Sequence, residues 1–267
     1  ITSIYIQNFR KLRQCRIDFS KETTLFVGAN NSGKTSAMDA LGKFLAGRSF
    51  VFNDFTISNR AVINTIGDEW GVKECSMPED LAKWESILPT MDVWIEVGHS
   101  EIHYIASIIP SLKWRGGKLG IRLTFQPKDI SNLFVEYREA YFAARATETA
   151  GAEAGISSIN LYPKNLCDFL EKNLTSHYSI KSYVLDPGKS ELEPPQATPF
   201  GMECFTDNPL KGIIKIDMID AQRGFSDPDS SDGSGNSGKQ LSSQMRSYYD
   251  KHLEPEKRPT PKELEIL

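Results

Sequence analysis

The spacing of hydrophobic and polar residues predicts that the chain opens with strands and then a helix. Residues 1–9 alternate as in a strand, and residues 15–19 form a second short alternating run. A third apolar run, residues 24–27, leads into a glycine-containing loop, and residues 36–45 have the spacing of an amphipathic helix. The pattern therefore predicts three strands, a loop and a helix, in that order.

Farther along the chain, predicted strands mix with predicted helices. Short turns join the strands of the middle part, which favours an antiparallel sheet. Strands are predicted at residues 92–97, 102–106, 119–125, 182–185 and 213–220, and helices from residue 77 and at residues 129–149, 163–174 and 241–253.

The amino-acid composition changes near residue 224 and sets domain boundaries in the C-terminal part of the chain. Residues 224–240 are rich in Ser, Asp and Gly, which predicts a flexible loop because such a segment cannot bury a core. We therefore expect an N-terminal lobe over residues 1–223, the loop at 224–240, and the start of a helical insertion or dimerisation arm at 241–267.

The most specific chemical signal is the loop that follows the third apolar run. It reads G-x-x-x-x-G-K-T and comprises Gly28, Ala29, Asn30, Asn31, Ser32, Gly33, Lys34 and Thr35. The two glycines allow a tight turn in which several backbone N–H groups face one hollow at a helix N-terminus. This is the pattern of a P-loop.

A P-loop predicts the cofactors ATP and Mg²⁺. We expect residues 28–36, the loop together with Ser36, to contact the nucleotide. Lys34 would reach the β- and γ-phosphates as the catalytic residue, and the Thr35 hydroxyl would bind Mg²⁺.

The net charge and the spacing of the cysteines limit which partners and which cellular compartment we expect for this protein. The 267 residues carry a net charge of −4, so no overall basic field attracts nucleic acid, and DNA contact would need a local patch or regions outside this sequence. The four cysteines are scattered without C-x-x-C spacing, which is typical of free thiols in a reducing compartment. No apolar run is long enough for a membrane span, and no signal peptide is recognisable. We expect a cytoplasmic protein without a membrane partner.

The first 45 residues carry more than a P-loop. They read I-x-x-I-x-I-x-N-F-R-x-L, then an I-D-F strand, then F-V-G-x-N-x-S-G-K-T-S-x-x-D-A-L, which resembles the N-terminal lobe of the RecF, SMC and OLD (overcoming lysogenization defect) class of ABC-type ATPases. Asn31 departs from the usual glycine, but asparagine also tolerates a left-handed backbone. The matching positions are Asn8, Phe9, Arg10, Gly28, Asn30, Ser32, Gly33, Lys34, Thr35, Asp39, Ala40 and Leu41.

The resemblance implies a fold and a way of working. The fold class is α/β, a P-loop NTPase (ABC-ATPase-like) core with a flanking antiparallel sheet and helical insertions. The implied protein forms an ATP-dependent homodimer or higher oligomer, acts in antiphage defence or DNA repair, and can work with a nuclease or toxin effector.

The resemblance also leaves alternatives open. No apolar strand ending in Asp-Glu, and no convincing signature helix, is found up to Leu267, and the chain starts at Ile1 without Met, so we expect a fragment of a longer ATPase. A non-hydrolysing ATP-binding scaffold or sensor that holds a nuclease or toxin partner is the alternative function. A small-molecule P-loop kinase is disfavoured by the two strands ahead of the P-loop.

Five further side chains are weighed as nucleotide contacts. The resemblance places Arg10 and Lys11 beside the nucleotide, although both fit equally well as solvated residues at a strand end. Gln222 and Arg223 close the predicted strand at 213–220 and are favoured over Gln126 as nucleotide-facing or partner-sensing residues, while the choice between Gln126 and Gln222 as the Q-loop residue of ABC ATPases stays open. A polar strand end without nucleotide contact remains the alternative.

Overall fold

The structure is a computed structural model that describes residues 1–109, 114–153, 161–189, 196–198, 205 and 209–217. Contacts divide the chain into two units, Ile1–Lys215 and Ile216–Leu267, and all of the second unit after Asp217 lies outside the described residues. The described strands are β1 Ser3–Phe9, β2 Leu12–Asp18, β3 Thr90–Val97, β4 Gly117–Pro127 and β5 Tyr178–Leu185. The α-helices are α1 Lys34–Phe44, α2 Asn59–Trp70, α3 Ile130–Glu153 and α4 Leu166–His177; short 3₁₀ helices cover Phe52–Asp54, Ala82–Trp84, His99–Ile108 and Pro187–Lys189.

The five strands form one antiparallel sheet in the order β2-β1-β3-β4-β5. Its register places apolar residues opposite one another: Ile4 pairs with Val93, and Val93 with Ile121. All three are fully buried. Since successive strand residues point to opposite faces, this register makes one face of the sheet apolar and fit to carry the core.

Aromatic rings join the first helix to the apolar face of the sheet. Phe50 stacks on Phe125 of β4, with ring centroids 4.0 Å apart, and meets the edge of Phe44 from α1 at 5.0 Å. Phe9 of β1 lies 6.3 Å from Phe44 in the same cluster. These contacts anchor α1 on the sheet, and they show that the aromatic connector after α1 serves packing.

The opposite face of the sheet carries a buried ion pair. Arg122 of β4 donates from Nε and Nη2 to the two carboxylate oxygens of Asp92 on β3, at 2.6 and 2.7 Å. The same guanidinium also donates from Nη1 to the backbone oxygen of Gln196 and to Thr198 Oγ1. The charges of both side chains are thus compensated inside the fold.

The predicted strand at residues 24–27 is wrong for the described structure. This segment runs into the loop without strand pairing, and Leu25 and Val27 are 80% and 89% exposed. The residue types of this run suit a strand. A strand is stable, however, only where a neighbouring strand supplies hydrogen-bond partners for its backbone N–H and C=O groups. Within the described residues no strand pairs with it.

Other element predictions also need correction. Residues 102–106 are predicted as a strand but belong to the 3₁₀ helix His99–Ile108. In place of the helix predicted from residue 77, the structure has the short 3₁₀ helix Ala82–Trp84. Residues 213–217 form no strand, and the rest of that predicted strand lies outside the described residues. Helix α2 was not predicted at all.

The remaining elements agree with the sequence pattern, and the domain boundaries stay predictions. β1 to β5 and helices α1, α3 and α4 overlap the runs predicted for them. The boundaries expected at residues 223 and 240, and the helix at 241–253, lie outside the described residues. No helix in the part of the chain that the structure describes is long and apolar enough to cross a membrane.

Candidate functional site

The P-loop ends at a glycine whose backbone only glycine adopts easily. Gly33 has φ 97° and is the N-cap of α1. A side chain in this left-handed conformation would clash with its own backbone, so the second glycine of the motif is required by geometry. The helix then starts at Lys34, which places the loop directly against its N-terminus.

Asn31 takes the second left-handed position of the loop, with φ 72°. The expectation that asparagine can replace the usual glycine here is confirmed, because its short polar side chain tolerates this conformation. The Asn31 side-chain oxygen also accepts a hydrogen bond from the Lys11 ammonium. The substitution of glycine by asparagine therefore adds a contact that glycine could not make.

Lys34 folds over the loop that precedes it. Its Nζ donates hydrogen bonds to the carbonyl oxygens of Gly28 and Ala29, at 2.5 and 2.7 Å, and to Ser32 Oγ at 3.3 Å. Gly28 leaves room for this arrangement, since a Cβ at that position would lie 2.9 Å from Ser32 Oγ and would force that hydroxyl to turn away. The lysine ammonium thus sits at the centre of the loop.

The N-terminus of α1 leaves backbone donors for an anion. The first N–H groups of a helix have no partner within the helix, no side chain caps this end of α1, and its first turn contains no acidic residue. Lys34 adds a positive charge at the same place, and Thr35 presents an exposed side chain. This set of groups fits a phosphate chain, and the Thr35 hydroxyl is suited to an accompanying Mg²⁺.

The turn between β1 and β2 lies beside this loop. It consists of Arg10, whose φ is 51°, and Lys11. Lys11 reaches the P-loop through Asn31, whereas the Arg10 guanidinium pairs with Asp39 of α1 and, at 2.9 Å, with Asp54. The structure therefore brings Lys11 to the loop and holds Arg10 among carboxylates.

Asp54 is a residue of this region that the sequence analysis missed. It is fully buried, and its carboxylate accepts hydrogen bonds from Arg10 Nε at 2.9 Å and the Val51 backbone N–H at 2.8 Å, with Lys43 Nζ 2.9 Å away. The available signal was a single acidic residue inside the aromatic run of residues 50–55, because a charge in such a setting needs a partner.

The carboxylates of this cluster raise the pKa of its arginine. Burial acts against the charged guanidinium, but the hydrogen bonds and charges of Asp54 and Asp39 outweigh it and raise the pKa of Arg10. Arg10 therefore remains cationic, and the cluster is a permanent electrostatic link between the turn and α1.

Of the two candidate glutamines, the structure describes Gln126 and does not describe Gln222. Gln126 is buried in β4, and its Oε1 accepts a hydrogen bond of 3.1 Å from the Tyr183 hydroxyl on β5. Its side chain is therefore part of the packing between two strands. Gln222 and Arg223 lie outside the described residues, so their nucleotide contacts stay a prediction.

Comparison with known proteins agrees with the geometry of the loop. A family model described as AAA ATPase domain matches residues 1–267, the full length of the chain. Over 50 residues, the sequence is 42% identical to the DNA replication and repair protein RecF of Marinobacter nauticus. That stretch is 19% of this chain and spans 13% of the relative. The family match thus covers the whole chain, whereas the similarity to RecF covers a short part of it.

Proposed function

The chain belongs to the AAA ATPase domain family, and on this premise we propose that residues 28–36 bind ATP with Mg²⁺ as the nucleotide site of a RecF-like ATPase. One observation carries the proposal. The Lys34 ammonium lies within hydrogen-bond distance of Gly28, Ala29 and Ser32, at the uncapped N-terminus of α1. A positive charge and free backbone donors around one hollow favour a polyphosphate.

Each part of the loop has a role in this proposal. The backbone N–H groups at the start of α1 hold the phosphate oxygens, and Lys34 leaves the loop carbonyls to bind the β- and γ-phosphates. The Thr35 hydroxyl is a Mg²⁺ ligand, and Lys11 approaches the same loop from the β1–β2 turn. When bound, Mg²⁺ neutralises phosphate charge and so favours phosphoryl transfer to water.

At the level of the whole protein, we propose a nucleotide-dependent clamp. ATP would bring two copies together, hydrolysis would separate them, and the biological setting would be DNA repair or antiphage defence. The likeness to a RecF protein supports the DNA-repair setting, although the aligned part spans only 13% of that relative.

Nucleotide binding is tested by calorimetric titration of the chain with ATP and Mg²⁺. We expect Lys34→Ala to weaken binding at least about tenfold, since it removes a charge-assisted contact to phosphate. Lys128→Ala is the matched control, because Lys128 Nζ likewise donates to two backbone carbonyls, those of Thr175 and Ser176, at 3.0 and 2.8 Å. Equal ATP affinity in the wild type and in Lys34→Ala would contradict the assignment.

Turnover separates the ATPase from a scaffold that only binds. Phosphate release should be measured at saturating ATP, with and without DNA, for the wild type and for Lys34→Ala. Release that depends on Lys34 supports hydrolysis by this site. Tight ATP binding without such release would support a sensor or scaffold for a nuclease or toxin partner.

A further inference from the structure

A cluster of four charged side chains connects the β1–β2 turn to the P-loop helix. Asp54 is its centre: a carboxylate with no exposed surface that contacts both Arg10 and Lys43. Asp39 completes the cluster by pairing with Arg10. Two cations and two anions therefore compensate one another beneath the turn.

The cluster holds α1 at two places along its length. Asp39 lies in the middle of the helix and Lys43 in its last turn, and both are tied to Arg10, directly or through Asp54. A backbone hydrogen bond of 2.8 Å from Arg10 N to the carbonyl oxygen of Asp54 adds a third connection. The position of the turn relative to α1 is thus fixed by charge as well as by packing.

Lys11 depends on this fixed turn. It follows Arg10 directly, and its ammonium contacts Asn31 inside the P-loop. A lysine side chain reaches only a limited distance from its backbone, so the position of the turn decides whether the ammonium can meet the loop. Because Arg10 sets that direction, any group that holds Arg10 also positions Lys11.

We propose that Asp54 is a positioning residue for nucleotide binding: it anchors Arg10 and thereby keeps Lys11 at the phosphate-binding loop. Asp54 does not contact the nucleotide itself. This inference rests on the proposed function, since it assigns a role in binding ATP at the P-loop. Loss of the Asp54 charge leaves the Arg10 guanidinium with Asp39 as its one ionic partner in the cluster, which loosens the turn and lets Lys11 move away from the loop.

A double-mutant cycle tests the inference, with ATP and Mg²⁺ as the ligand and calorimetric affinity as the measurement. We expect Asp54→Asn and Lys11→Ala each to weaken binding roughly tenfold, the range typical of residues in one network. The double variant should bind as weakly as Lys11→Ala alone, because Asp54 acts through Lys11. Additive losses, or an unchanged affinity in either single variant, would contradict the proposal.

Asp92→Asn is the matched control. It too removes a buried carboxylate that is paired with an arginine, but its partner is Arg122 on the other face of the sheet. We expect this variant to lower stability and to keep the wild-type ATP affinity. A loss of affinity equal to that of Asp54→Asn would show that general destabilisation is responsible, and would refute the positioning role.

Two further variants keep the outcomes distinct. If Asp54→Asn does not fold, as judged by circular dichroism, Arg10→Gln replaces it in the cycle, because Asp54 acts through the Arg10 guanidinium, and the double variant with Lys11→Ala should again bind as weakly as Lys11→Ala alone. Arg10 is 31% exposed, and Asp54 keeps Lys43 as its partner, so this variant is better tolerated. Lys34→Ala separates the positioning role from the proposed function. If Lys34→Ala binds ATP normally, the proposed function fails. If Lys34→Ala binds weakly and Asp54→Asn binds normally, only the positioning role is refuted.

Discussion

Gly33 lies so close to Leu12 that a Cβ at position 33 would be 2.9 Å from Leu12 Cδ2. This distance is shorter than van der Waals contact, so a side chain at position 33 would require the Leu12 side chain to move. The left-handed backbone thus requires glycine at this position, and the closeness of Leu12 on β2 favours it further.

Gly33→Ala is expected to lower the free energy of unfolding by about 1–2 kcal/mol through backbone strain alone, and further through the clash. It should also weaken ATP binding, because the strained backbone and the contact with Leu12 both act to displace the loop. Stability is measured by urea unfolding, and affinity by titration with ATP and Mg²⁺.

Gly47→Ala is the control for that variant. Gly47 has φ 73° and follows the end of α1, but a Cβ there would meet nothing within 4 Å. It should lose a similar amount of stability from strain and retain its affinity for ATP. If both variants bound ATP equally well, the close approach to Leu12 would have no bearing on the site.

Thr35→Ala should separate metal binding from folding. The Thr35 side chain is exposed, so its removal is expected to change the free energy of unfolding by less than about 0.5 kcal/mol. Affinity for ATP should fall in the presence of Mg²⁺ and stay unchanged when EDTA removes the metal. Equal losses with and without Mg²⁺ would show that the hydroxyl does not act through a metal.

Arg122→Met is expected to cost about 3–5 kcal/mol, because it leaves the Asp92 carboxylate buried without its partner. The double variant Arg122→Met/Asp92→Leu should recover a large part of that loss, since no unpaired charge remains. Both are measured by chemical unfolding. A double variant as unstable as the single one would mean that the contacts of Arg122 with Gln196 and Thr198 matter more than the ion pair.

Stability should fall at alkaline pH partly because of Cys167. Burial raises the pKa of its thiol to about 11, and an unfolded chain has a cysteine pKa of about 8.5. Between these values the unfolded state loses its proton and the folded state keeps it, so this stabilisation is present below about pH 8.5 and is lost as pH rises through 11.

The variant Cys167→Ala should therefore lose less stability than the wild type between pH 8 and pH 10.5, by about 1 kcal/mol after allowance for partial exposure. The measurement is urea unfolding at both pH values. Other groups with raised pKa values that do not depend on Cys167, such as the phenol of Tyr162, are common to both proteins and cancel in the comparison. Identical pH dependence in the two proteins would contradict a role for this thiol.

The local chemistry of the loop could be predicted from sequence because it depends on a few backbone angles. Gly33 and Asn31 occupy left-handed conformations, as the residue types indicate. The ion cluster could not be predicted in the same way, since Arg10 and Asp54 are 44 residues apart and only the folded sheet brings them together.

The errors in secondary structure have related causes. Helix α2 carried a recognisable signal, because Ile63, Ile66 and Trp70 have helical spacing and are buried, and Ser58 stands at its N-cap although its side chain makes no capping hydrogen bond. In the 3₁₀ helix His99–Ile108, a short apolar run fits strand and helix equally well. The segment before the P-loop has the right residues for a strand and no partner within the described part of the chain.

That exposed segment has a practical consequence for experiments on assembly. The side chains of Leu25 and Val27 are exposed next to the nucleotide loop, and exposed apolar side chains on an extended segment promote self-association at high protein concentration. Light scattering of the purified chain would then report larger species whether or not ATP is present. Leu25→Ser/Val27→Ser gives the baseline: growth in particle size that this variant abolishes is colloidal, and growth that persists and requires ATP is true dimerisation.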